Sequence, residues 1–94
     1  MDKAKQKRIL EERQKRGIEA EKILSNPLVV TALQFMEKEI IRDMKRLKHN
    51  DLEGRDNLWR DLQAVNRFTE RFKQYIVKGK RSQTLLQRLI RGEK

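Results

Sequence analysis

Apolar residues between 29 and 47 recur at Val29, Leu33, Met36, Ile40, Met44 and Leu47, in steps of 4, 3, 4, 4 and 3. That spacing puts them on one face of an α-helix and on no face of a strand. Val30, Ala32 and Ile41 widen the stripe, while Lys38, Arg42, Asp43, Lys45 and Arg46 take the other faces. Asn26 stands where a side-chain oxygen caps the first free amides, and Pro27 fits the first helical position, where a missing N–H costs nothing. The helix is expected to end near Lys48–Asn50.

A second stripe follows at Leu58, Leu62, Val65, Phe68 (or the adjacent Thr69), Phe72 and Ile76, again a single helical face, with Trp59 and Tyr75 beside it. Gly79, between Lys78 and Lys80, fits a helix C-cap with cations in the last turn. The polar run from His49 to Asp56 is short, and short connections make antiparallel neighbours. The expected core is therefore a helical hairpin, 27–49 against 56–78. Two helices bury too little to stand alone, so a flanking helix or another copy must close them.

Residues 3–24 are good helix formers with a thin apolar stripe (Ile9, Leu10, Ile18, Ala20, Ile23, Leu24). Gly17 costs this helix about 1 kcal/mol relative to alanine. The first ten residues are expected to be disordered, or to order only on a partner. A short helix capped by Ser82 is expected over 82–90. Leu28-Val29-Val30-Thr31 is β-branched but opens a helical period, and nothing pairs with it. The expected fold is all-α: an antiparallel helical hairpin with additional N-terminal and short C-terminal helices. The expected divisions are a basic, partly disordered N-terminal helix (1–25), the hairpin core (26–78) and a basic C-terminal arm (79–94).

Charge is distributed unevenly. The net +10 divides into +3 for residues 1–25, zero for 26–70, where eight basic groups face eight acidic ones, and +7 for 71–94, where Glu93 is the one acid. A cationic end on a neutral helical chain points to a polyanion: nucleic acid, an anionic membrane or an acidic protein face.

Chemistry has little to work with. The chain has no cysteine and one histidine, which excludes disulfides, thiolate metal sites and multi-histidine sites. His49 lies in the polar turn, where a solvated or capping role is the default. The four glycines are isolated, so no phosphate-cradling loop is formed. Glu37, Glu39 and Asp43 alternate with Lys38 and Arg42 as a solvated, salt-bridging face does. No catalytic residue, metal, cofactor or small-molecule substrate is expected. No apolar run approaches the roughly 20 residues that span a bilayer.

The candidate nucleic-acid-binding residues are Lys73, Lys78, Lys80, Arg81, Arg88 and Arg91, because clustered cations neutralise phosphates and release counterions without reading sequence. A solvated helix end is the bland alternative. Trp59, Phe68, Phe72 and Tyr75 have the chemistry of a base-stacking platform, but their spacing follows the apolar face and reads better as core. Trp59 sits just off the seam and is a candidate contact residue. Leu85, Leu86, Leu89 and Ile90 either fold back on the hairpin or dock on a partner. Membrane-surface binding ranks last, because the segment is short and has no tryptophan.

Ile23-Leu24-Ser25-Asn26-Pro27-Leu28, the Asp/Gly/Arg-rich turn, Asp56-Asn57-Leu58-Trp59, and Lys78-Gly79-Lys80 before a leucine-rich tail give the chain a further likeness. Over residues 23–90 it resembles the small helical-hairpin proteins encoded in packaging and head gene clusters of tailed bacteriophages. That resemblance implies a viral setting, in the host cytoplasm or the virion interior, and carries no catalytic residues with it. The reading is a non-enzymatic phage-type structural or DNA-packaging accessory protein that self-associates and contacts DNA non-specifically. The alternative is an adaptor or inhibitor whose terminal helices dock on a larger phage or host protein. A small transcriptional regulator is a third reading, and it would need a recognition helix that the sequence does not supply.

Overall fold

A computed structural model describes residues 2–92. The chain is all-α: α1 (Lys3–Ser25), α2 (Pro27–Arg46) and α3 (Leu52–Arg91), with no strand among the described residues. Glu93 and Lys94, counted in the C-terminal arm, lie outside the described residues, as does Met1.

Each helix starts on a side-chain cap. The Asp2 carboxylate accepts from the Lys5 amide at 2.7 Å, and α1 is helical from Lys3, where disorder, or order only on a partner, was the expectation. The Asn26 side chain accepts from Leu28 N at 2.9 Å and Val29 N at 3.4 Å, with Pro27 at the first helical position. Asp51 does the same for α3, accepting from Gly54 N at 2.9 Å. Replacing Asn26 by alanine strands these amides and is expected to cost about 1 kcal/mol, measured as a lower urea midpoint with unchanged slope. An unchanged midpoint would show that the cap contributes nothing.

α3 differs from expectation at both ends: it begins at Leu52 rather than at residue 56, so part of the expected polar turn is helical, and it does not stop at 78. It is a single helix of 40 residues, so the C-terminal helix expected over 82–90 is its last part rather than a separate element. Gly79 does not end a helix and Ser82 does not begin one; both are buried inside α3. The physical reason lies across the seam, where α3 meets α1.

The chain divides into two compact units that share α3. In the first, residues 2–24 pack on α3 from Arg71 to Arg91; in the second, Ser25–Glu70, α2 packs on the N-terminal part of α3. The hairpin of α2 and α3 is therefore present, but α3 beyond Glu70 is paired with α1, not with α2 as the 56–78 boundary supposed.

The first unit is built round a close crossing at two glycines. A methyl group on Gly17 would lie 2.8 Å from the Tyr75 carbonyl oxygen and 2.9 Å from Gly79 Cα. One on Gly79 would lie 2.9 Å from Gly17 Cα and 3.1 Å from the Arg13 carbonyl oxygen. Side chains cannot relieve such contacts, because the neighbours are backbone. The two glycines weaken their helices, and the approach they permit lets the backbones touch. Ala20 and Ser82 continue the small-residue seam at 2% exposure each, and Leu10 and Leu86 bury the outer end at 6%. Burying a leucine of this kind is worth roughly 1.5–3 kcal/mol. Phe72 and Tyr75 meet edge to face at 6.0 Å, and the Arg16 guanidinium lies 5.7 Å from the Tyr75 ring centre.

The second unit is looser. Its one buried side chain is Val65; α2 contributes none. Leu33, Ile40, Leu58 and Leu62 are half-buried, and α2 keeps Leu28, Phe35 and Met36 largely in solvent.

Candidate nucleic-acid interface

The fold gathers the positive charge that the sequence keeps at its two ends. Residues 2–24 and 71–92 pack into one unit, which carries the whole net +10, while Ser25–Glu70 is neutral. Between 71 and 92 there is no carboxylate at all.

Within that unit α1 and α3 differ. α1 mixes its signs: Lys7 pairs with Glu11 at 3.9 Å and Lys22 with Glu19 at 3.6 Å, both in solvent. The part of α3 in this unit, from Arg71 to Arg91, has no acid to mix. Its seam with α1 runs through Ile76, Gly79, Ser82 and Leu86. At 100° per residue, Lys73, Lys80, Arg81, Arg88 and Arg91 fall within an arc of about 100° on the side away from that seam. All five are exposed. They extend along about 27 Å of helix, from the rise of about 1.5 Å per residue. Lys78 is also exposed but lies on the opposite flank. Five of the six sequence candidates therefore share one surface.

The aromatic residues do not form a platform on it. Phe72 and Tyr75 are half-buried on the α1 side, Phe68 lies in the neutral unit at 47% exposure, and Trp59 is exposed at 54%. The apolar tail residues separate. Leu86 is buried and Leu89 half-buried against α1, so both are packed within the chain. Leu85, with Leu10 and Leu89, lines a groove of about 380 Å³ edged by Lys3 and Arg88, and Ile90 is 75% exposed. His49 sits exposed in the α2–α3 turn, where its carbonyl accepts from Arg55 at 3.1 Å. Among the described residues no three His, Asp or Glu side chains are grouped as metal ligands, and no helix is long and apolar enough to cross a membrane.

A second feature has no counterpart in the sequence reading. In the neutral unit a groove of about 520 Å³ runs between α2 and α3. Leu33, Met36, Ile40, Ala64, Val65 and Phe68 form its apolar lining, and Glu39 and Asp61 bring two carboxylates to it. Neither carboxylate is in an ion pair among the described residues, and Glu39 is half-buried. Glu39 was read from the sequence as part of a solvated, salt-bridging face. Its unpaired position in a groove depends on where α3 lies, which spacing within α2 does not reveal.

No family model matches the chain, and neither does any curated protein or solved structure.

Proposed function

We propose that this chain is a non-enzymatic assembly protein that holds nucleic acid by its phosphate backbone, using the outer face of α3 between Lys73 and Arg91. The observation that carries this reading is the joining of both basic termini into one unit of +10 with an acid-free face on α3. Contacts of this type neutralise phosphates and position the protein without reading bases. The face has no stacking aromatics and no recognition-helix unit, so sequence preference is not expected. Self-association belongs to the same reading, because the neutral unit is a two-helix layer with one buried side chain. A role in DNA packaging or head structure of a tailed phage is supported by the sequence resemblance alone.

The test is binding of the full chain to two DNA duplexes of equal length and unrelated random sequence. Equal, measurable affinity at low salt supports the reading. A strong preference for one sequence would favour a regulator. No binding at low salt would favour the adaptor reading, in which the exposed Leu85 and Ile90 with their flanking arginines dock on an acidic protein surface.

A further inference from the structure

We infer that a second copy of this chain covers the open groove of the neutral unit, so that two α2–α3 hairpins close into a four-helix layer related by a two-fold axis. The inference rests on the self-association in the reading above and specifies its surface.

The apolar surface comes first. A helix that is apolar over one stripe needs one neighbour, and α2 is apolar well beyond one stripe. Val29, Leu33, Ile40 and Met44 are half-buried along its main stripe. Met36, in the groove, is 48% exposed, and Phe35 at 60% and Leu28 at 78% are further apolar side chains of the same helix left in solvent. Phe68, from the opposite wall, is 47% exposed. Apolar side chains in a continuous groove, rather than scattered singly, mark a surface that is covered in the working state. A pair of antiparallel helices lacks the second layer that a helical core requires.

Charge then selects the occupant. Glu39 and Asp61 line the groove without an ion pair among the described residues, so the groove repels a nucleic-acid phosphate or an anionic membrane headgroup and calls for cations from whatever covers it. Another copy of the basic unit meets the long-range repulsion of its own +10 wherever it approaches a basic unit. The neutral unit carries eight groups of each sign, so two copies of it approach without net repulsion. Arg60 and Arg67 are exposed on the flank of α3 beyond Asp61, within the same balanced unit. A surface that holds both signs round an apolar centre is self-complementary under a two-fold axis, the arrangement most homodimers use. Each substitution in such an interface acts twice.

The test is the mass of the full chain in solution without nucleic acid, by sedimentation equilibrium in about 0.5 M salt, where surface charge is screened to a few ångströms. The expected mass is twice 11.4 kDa. The Met36→Lys/Phe68→Lys double variant alters two side chains already about half in solvent, so it keeps its helicity by circular dichroism. Its dimer dissociation constant is expected to rise about 100-fold or more. A monomeric wild type at high concentration would overturn the inference, as would a dimer indifferent to the double variant. So would larger species that dissolve as salt rises, since those would show basic units docking head to tail on acidic grooves. The double variant should still bind DNA. Conversely, reversing the charges of Lys80, Arg81, Arg88 and Arg91 should leave the dimer mass unchanged, so failure of the dimer and failure of nucleic-acid binding are separately visible.

Discussion

Gly79→Val is expected to take apart the packing of α1 on α3 while leaving α2 on α3 intact. Intrinsic propensity argues the other way: glycine is the worst ordinary helix former, and replacing it by alanine in a helix interior gains about 1 kcal/mol. The contact decides against propensity. A Cβ at position 79 would stand 2.9 Å from Gly17 Cα and 3.1 Å from the Arg13 carbonyl oxygen, both backbone atoms that no rotamer change can move. The helices must separate, and separation uncovers Leu10, Ala20, Ser82 and Leu86 together. Overpacking of this kind costs about 3 kcal/mol for valine, and the lost burial adds to it. Total stabilities of small domains are about 5–15 kcal/mol, so this is a large fraction. Amide hydrogen exchange resolves the outcome by residue: protection in α1 should collapse, and protection around Val65 and Ile40 should persist. Gly79→Ala tests the sign alone, with destabilisation expected. A stabilised Gly79→Ala would mean that the helices do not cross at these glycines.

The second large effect is on binding. Reversing Lys80, Arg81, Arg88 and Arg91 to glutamate places four anions on a face that now has only cations. All four side chains are exposed and none belongs to the buried α1 seam, so helicity and melting should barely change. Affinity for duplex DNA at about 0.1 M salt is expected to fall about 100-fold or more, because phosphate contacts are lost and repulsion replaces them. The matched control reverses four exposed cations of the neutral unit, Arg42, Lys45, Arg46 and Arg55, and should weaken binding only modestly. Equal losses from both sets would mean that net charge alone governs binding and that α3 has no special face.

Much of this was legible in the residues, and the parts that were not have physical causes. The start of α2 follows from local chemistry, since Asn26 caps the amides of Leu28 and Val29 beside Pro27, and the 3.6-residue period of Val29 to Leu47 needs no knowledge of the rest of the chain, whereas the helix ends at Arg46, short of the expected Lys48–Asn50. The polar turn from His49 likewise announces a reversal. Gly79 is different, because a glycine in a helical stretch has two meanings. It ends a helix when its φ is positive, and it admits a second backbone when it lies at a crossing. Flanking lysines suit both. What separates the two is a partner elsewhere in the chain, and that partner was present as Gly17, with Ala20 and Ser82 in step on either side. Matched small residues on two helical faces are a signal of close packing, but only when the faces are compared with each other. The same holds for the basic face. The +7 tail was plain in the sequence, whereas its union with the +3 N-terminus depends on α1 folding back onto it. The groove was hidden for a related reason: Glu39 looks like any solvated helix carboxylate until α3 is placed beside it.

The central claim is that α3 holds nucleic acid through phosphate contacts made by a handful of clustered cations. The most direct test is the dissociation constant for one random-sequence duplex measured across a salt series. Each phosphate contact contributes about 0.9 to the slope of log affinity against log salt, so five to six contacts predict a slope of about −5. The charge-reversed α3 variant should show a slope close to zero over whatever range binding remains measurable. A wild-type slope near zero, or affinity that does not fall as salt rises, would contradict the account, since the cations on α3 would then not be meeting phosphates.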